Sequence, residues 1–190
     1  MIPERTDWLR HSLTVIGATA EVARFRAAAA GPGIIPWRRD LARLEEEWFL
    51  GLAAPLEGER AISLRGARLL ARRLRDAVAL HEAQAQARAM AEDRACPFDL
   101  HRLLPVPASL LALGPDEAES RDWLWRHWGT GRAVRQVHEL PVTRDRRLRR
   151  TDRWVVAFWS ADWSPWPALL RLRRGWPALR LDLAPHYDDG

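Results

Sequence analysis

The sequence predicts an α+β domain on three observations. An alternating, β-branched run at residues 12–17 leads into an amphipathic segment, residues 36–95 read as purely helical, and the C-terminal third carries strand, strand, helix and strand patterns in succession. With 190 residues, 47% of them hydrophobic, the chain is long enough to bury a core within one domain that carries a substantial insertion.

Residues 12–17 (S-L-T-V-I-G) alternate through Leu13 and Val15 and stop at Gly17, which predicts a strand. Thr19 stands where an N-cap belongs, Val22, Phe25 and Ala29 share one helical face, and the Gly31-Pro32-Gly33 triplet ends that helix. Asp40 is placed to cap a second helix with Leu41, Leu44, Trp48 and Leu52 at helical spacing. After a break at Pro55 and Gly58, Ser63 opens a long helix with an apolar stripe through Leu64, Ala67, Leu70, Leu74, Val78 and Ala85. Arg65, Arg68, Arg72 and Arg75 line its opposite side, and its Ala/Gln-rich end is free to project or to pair with a partner helix.

Residues 97–107 (P-F-D-L-H-R-L-L-P-V-P) predict an extended, proline-punctuated link. Pro115-Asp116, with Glu119 as a capping-box partner, opens a helix carrying Leu124, Trp125 and Trp128 that stops at Gly129. Residues 134–142 form a weak strand that Pro141 assigns to a sheet edge. Residues 154–159 (W-V-V-A-F-W) are apolar on both alternations, as in a strand covered on both faces. Ser164 and Pro165 read as N-cap and first turn of a helix that buries Trp166, Leu169 and Leu170 and ends at Gly175. Residues 179–183 (L-R-L-D-L) then alternate with Arg180 and Asp182 outward. With the extra helices set aside, the order is βαββαβ, the ferredoxin-like split pattern. The expected organisation is a ferredoxin-like antiparallel sheet from residues 1–35 and 97–190, interrupted by an α-helical hairpin at 36–96.

Five segments resemble the YubB-type ferredoxin-like proteins of phages, plasmids and bacterial chromosomes. They are L-T-V-I-G (13–17), F-D-L-H-R-L-L-P-V-P (98–107), W-R-H-W-G-T (125–130), F-W-S-A-D-W-S-P (158–165) and the closing W-P-A-L-R-L-D-L with Tyr187-Asp188. The chain departs from that pattern at Gly131-Arg132, where such proteins often have Lys-Trp, and at Pro165-Trp166, where they have two prolines. The resemblance implies a fold and brings no catalytic residues with it.

Composition narrows the partners. All 30 basic residues are arginine and asparagine is absent, which a GC-rich genome explains, because lysine and asparagine codons are adenine-rich. The net charge of +5 is spread evenly over the two halves, and only residues 144–153 (R-D-R-R-L-R-R-T-D-R) concentrate it. No apolar run reaches the roughly 20 residues of a membrane span, and no signal pattern opens the chain, so a cytoplasmic protein is expected. The single cysteine, Cys96, excludes an intramolecular disulfide and a cysteine-based zinc cluster.

The six histidines have no metal-ligating spacing, and neither a metal nor a cofactor is expected. Gly129-Thr130-Gly131 follows a helix and is too short for a phosphate loop. A hydrolase-like grouping of Ser160, Asp162 and His127 lacks a nucleophile elbow, which leaves an enzyme as third choice. Eight of the eleven tryptophans fall in the last third, six of them in W-L-W-R-H-W-G-T (123–130) and F-W-S-A-D-W-S-P-W (158–166), with Trp154 just before the second cluster and Trp176 after it. Most are expected in the core, with Trp123 and Trp163 exposed. The expectation is a binding module whose working surface combines Trp123, His127, Thr130 and Arg132, then Asp162, Trp163 and Trp166, with Arg146, Arg147, Arg149 and Arg150 of the Arg-rich segment. The expected partner is a protein or a second copy of the chain, with nucleic acid as the alternative. A base-stacking sheet platform is disfavoured if the inserted hairpin covers the open sheet face.

Overall fold

Alternation along the first strand sets the layers of the molecule. In the computed structural model, which describes residues 6–55, 59–91, 93–142 and 151–186, β1 (Trp8–Ala18) buries His11, Leu13 and Val15 completely on one face and leaves Arg10, Ser12 and Thr14 on the other. The strand begins earlier than residue 12 because β3 (Thr151–Ala161) pairs with it along its whole length, from Trp8 opposite Ala161 to Ala18 opposite Thr151. With β2 (Arg135–Glu139) and β4 (Arg180–His186) these strands form one antiparallel sheet in the order β2-β3-β1-β4. The α+β class holds.

Helices close one face of the sheet. α1 (Thr19–Ala29) contributes Val22, Phe25 and Ala29, and α7 (Trp166–Gly175) contributes Ala168, Leu169 and Leu172, to a core shared with Leu13, Val15, Trp154, Val156, Phe158 and Leu181. Phe25 sits edge-on to both Trp154 and Trp176, with ring centroids 6.0 and 5.2 Å apart. Thr19 is the first residue of α1, not its cap; Ala18 precedes it and offers no side-chain hydrogen bond. As expected for residues 154–159, the strand is buried on both alternations as far as Phe158, while Trp159 is half-buried.

The inserted residues form α2 (Leu41–Ala53) and α3 (Leu64–Met90). Asp40 caps α2, accepting from the amides of Ala42 and Arg43, and Ser63 caps α3, accepting from that of Gly66. Paired backbone hydrogen bonds of 3.0 and 2.9 Å between Gly31 and Cys96 bring the two ends of the insertion together. The leucine stripe expected to be buried is not. Ala67, Ala71, Glu82 and Ala85 are the buried residues of α3, whereas Leu64, Leu70 and Leu74 are exposed. Small side chains at 67 and 71 let α2 approach closely, and α2 packs on the flank of α3 that carries Arg68, Arg72 and Arg75, which leaves the leucines on the uncovered side.

The proline-rich link holds two short helices, α4 (Leu100–Leu103), capped by Asp99, and α5 (Ala108–Leu113). The next helix, α6 (Ala118–His127), lacks the expected capping box: Glu117 precedes it without a side-chain bond, and Asp116 instead accepts from Arg39 at 3.3 Å. α7 likewise begins after Pro165 with no side-chain cap, and Leu170 and Trp166 lie outward instead of in the core. Gly175 is its last residue, followed by Trp176 at the C-cap. β2 lies at the sheet edge and ends before Pro141, with an irregular register between Arg135 and His138 and Gln136 at φ 50°.

Candidate functional site

The two tryptophan clusters meet. Thr130 is fully buried, and its hydroxyl donates to the Ala161 carbonyl at 2.9 Å while accepting from the Ala161 amide at 3.0 Å. Gly129, at φ +78°, lets the chain turn against Pro167 and Ser164, a space that a Cβ would occupy. Asp162 follows at φ 65° and is held by its amide on the Asp7 carbonyl. The end of α6 and the turn before α7 are therefore one surface.

Beneath that surface lies a buried histidine that sequence reasoning did not single out. The Leu9 carbonyl, 2.9 Å from His11 Nδ1, can only accept, so Nδ1 carries the proton and Nε2 is free to accept. The Ser164 hydroxyl donates to it at 2.8 Å. Burial pushes the His11 imidazole below its ordinary basicity, against a weaker opposing effect of the Leu9 bond, and favours the neutral ring. Ser164 is thus spent on His11 and not on capping α7. The pair has the polarity of a base and nucleophile, but it is sealed, at 0% and 4% exposure, and it serves to fasten the α7 turn to β1. His11 shares its strand face with Leu13 and Val15, and that parity was the available signal for its burial.

The Ser160, Asp162 and His127 grouping does not assemble. The Ser160 hydroxyl donates to the Trp163 carbonyl at 2.6 Å and lies against His11, while His127 stacks on Trp123 at 4.4 Å between ring centroids. Partial burial, then Arg171 and Arg126, lower the basicity of His127.

Exposure of the tryptophans differs from expectation on α6. Trp123 packs against the core and Trp125 is the outward residue, half exposed, because the buried face of the helix runs through Ser120, Leu124 and Trp128. Trp163 is 57% exposed, as expected, and Trp166 is 39% exposed. Arg146, Arg147, Arg149 and Arg150 lie outside the described residues.

Beside Asp162, a groove of about 1500 Å³ runs between α3, α6 and residues 131–135. Trp125 and Arg121 wall it from α6, Trp37 and Ala85 from the inserted side with Ile35 just ahead of it, and Arg132 and Asp162 from the tryptophan surface. Its charges nearly balance: Arg39, Arg121, Arg132 and Arg135 stand against Glu82, Asp116, Glu119, Asp122 and Asp162. Arg39 organises the inner wall, reaching Glu82 at 3.0 Å and Asp116 at 3.3 Å.

The second face of the sheet carries a separate recess of about 470 Å³, floored by Ser12, Thr14, Val155 and Ala157 and walled by residues 140–142 and His186. No residue of α2 or α3 lines it, so the hairpin leaves this recess open. Among the described residues no three His, Cys, Asp or Glu side chains gather as a metal site, and no helix is long and apolar enough to cross a membrane.

No family model and no curated protein matches the sequence. Among solved structures, the chain is similar to the crystal structure of a protein api92 from Yersinia pseudotuberculosis, described by the family model DUF1281. The likeness has a TM-score of 0.51 at 10% identity, over 97% of this chain and 91% of that one. At that identity the likeness concerns the fold alone.

Proposed function

We propose that this chain is a non-catalytic protein-binding module of the YubB-type ferredoxin-like kind, and that it takes a polypeptide segment in the groove between α3, α6 and residues 131–135. The strand order β2-β3-β1-β4, with α1 and α7 in one core, supports reading the sheet as the split βαβ arrangement.

The observation that carries the functional reading is the groove itself. It exceeds the roughly 300–1,000 Å³ typical of small-molecule pockets. Its near-neutral lining disfavours a polyanion there, and the exposed Trp125 indole offers the kind of aromatic anchor on which protein interfaces depend. Arg132 and Asp162, both expected at the working surface, lie along its rim.

Selection of a random peptide display library on the folded protein tests this reading. Enriched peptides should lose at least tenfold in affinity with Trp125→Ala and with Arg132→Glu, and should change little with moderate salt. No enrichment, or peptides indifferent to Trp125, would remove the groove as the working surface.

A further inference from the structure

On the face of the sheet opposite the core, we propose a second binding site, independent of the groove, that takes single-stranded nucleic acid with Arg10 and Arg153 on its phosphates.

Register places the pieces. Arg10 stands beside Trp159 of β3 and His186 of β4, while Arg153 stands beside Ile16, six residues along β1. The two guanidinium groups therefore mark the ends of a track about 20 Å long at strand rise, a span of a few nucleotides. Both arginines are exposed, and neither has an ion-pair partner among the described residues.

Between them the accessible floor is made of the half-buried, hydroxyl-bearing Ser12 and Thr14, with Val155 and Ala157 buried beside them. The Ser12 hydroxyl lies 3.0 Å from His186 Nε2, which adds hydrogen-bonding capacity at the rim. Trp159 supplies an aromatic surface at the Arg10 end, where the guanidinium of Arg135 already stacks over Trp8 at 4.3 Å. Among the described residues the one carboxylate in register with the floor, Asp182 opposite Thr14, is engaged by Arg180 at 2.7 Å.

Among the described residues the free charge on this face is thus of one sign, unlike the balanced groove. A recess of about 470 Å³ on the sheet face has room for an unstacked base and its sugar, while a duplex would meet only the rim. Phosphates between two arginines, with bases toward an indole, are the requirements of a single-strand track.

Fluorescence anisotropy of a short, mixed-sequence, labelled single-stranded oligonucleotide, in DNA and RNA arms, tests the proposal at about 50 and 200 mM salt. The wild type should bind in a salt-dependent manner. The double variant Arg10→Ala/Arg153→Ala should bind at least tenfold more weakly, with the log–log salt slope reduced by about 1.4, two contacts at roughly 0.7 each for single strands. Arg10→Lys/Arg153→Lys should retain most of the slope, which separates lost charge from lost folding. Arg65→Ala/Arg68→Ala on α3 removes the same charge elsewhere and should leave binding unchanged, as should Trp125→Ala. Absence of binding at low salt, an equal loss with the α3 pair, or equally effective competition by duplex would overturn the site.

Discussion

Two residues of opposite fate, Trp125 and Trp128, are the sharpest test of how the tryptophan-rich region is built. Trp128 is fully buried, and its indole N–H donates to the Leu104 carbonyl at 3.0 Å. Replacing it with alanine should cost about 3–5 kcal/mol of stability by urea unfolding. Trp125→Ala, at a half-exposed position, should stay within about 0.5 kcal/mol of the wild type. Ser164→Ala should cost roughly 1–3 kcal/mol, because it leaves the buried His11 Nε2 without a donor. Its sequence context, Ser-Pro ahead of a helix, argued for a cap. Nothing local in the sequence announces a histidine 153 positions away that claims the hydroxyl.

Helix ends show the same division between local and distant causes. The caps of α2 and α3 were legible because Asp40 and Ser63 bond amides two or three residues on. Those of α6 and α7 were not, because Arg39 draws Asp116 and His11 draws Ser164 across the fold. The α3 stripe failed for a related reason. Helical periodicity identifies an amphipathic face but not which flank a short neighbour will cover. Leu70→Ala/Leu74→Ala should therefore be nearly neutral, within about 1 kcal/mol in total, despite removing two leucines. Ala71→Leu, at a buried contact, should cost about 1–3 kcal/mol by overpacking. Thermal or urea unfolding of the variants side by side distinguishes these outcomes from the stripe expected of the sequence.

At the scale of the whole molecule, the α+β class and the order of the main strands and helices were readable, since β1 and β4 alternate, β3 is a continuous apolar run and each long helix keeps its period. The candidate surface was readable only in part, because spacing along the chain cannot say that Thr130 and Ala161 are neighbours. The molecule also has a collective response to acid. Burial depresses the basicity of His11 and His101, and that of His127 moves the same way. Each binds a proton more readily when unfolded, so the stability they contribute is present above their ordinary value of about 6.5 and is lost as pH falls through the lower folded-state values. Urea midpoints should accordingly fall between about pH 7.5 and pH 5.5, and a His11→Asn/His101→Asn variant should show a flatter dependence over that window. The pairing of β1 with β3 and β4 has a consequence for how the chain is made. β1 leaves the ribosome long before its partners: at about 5–20 residues per second, His11 waits roughly 8 to 30 s for Ser164. Until then Leu13 and Val15 have no sheet to join, while the α2 and α3 hairpin can close on contacts between near neighbours in sequence. The interval defines a nascent chain with folded helices and an unpaired, apolar first strand, the species on which chaperones and proteases would act.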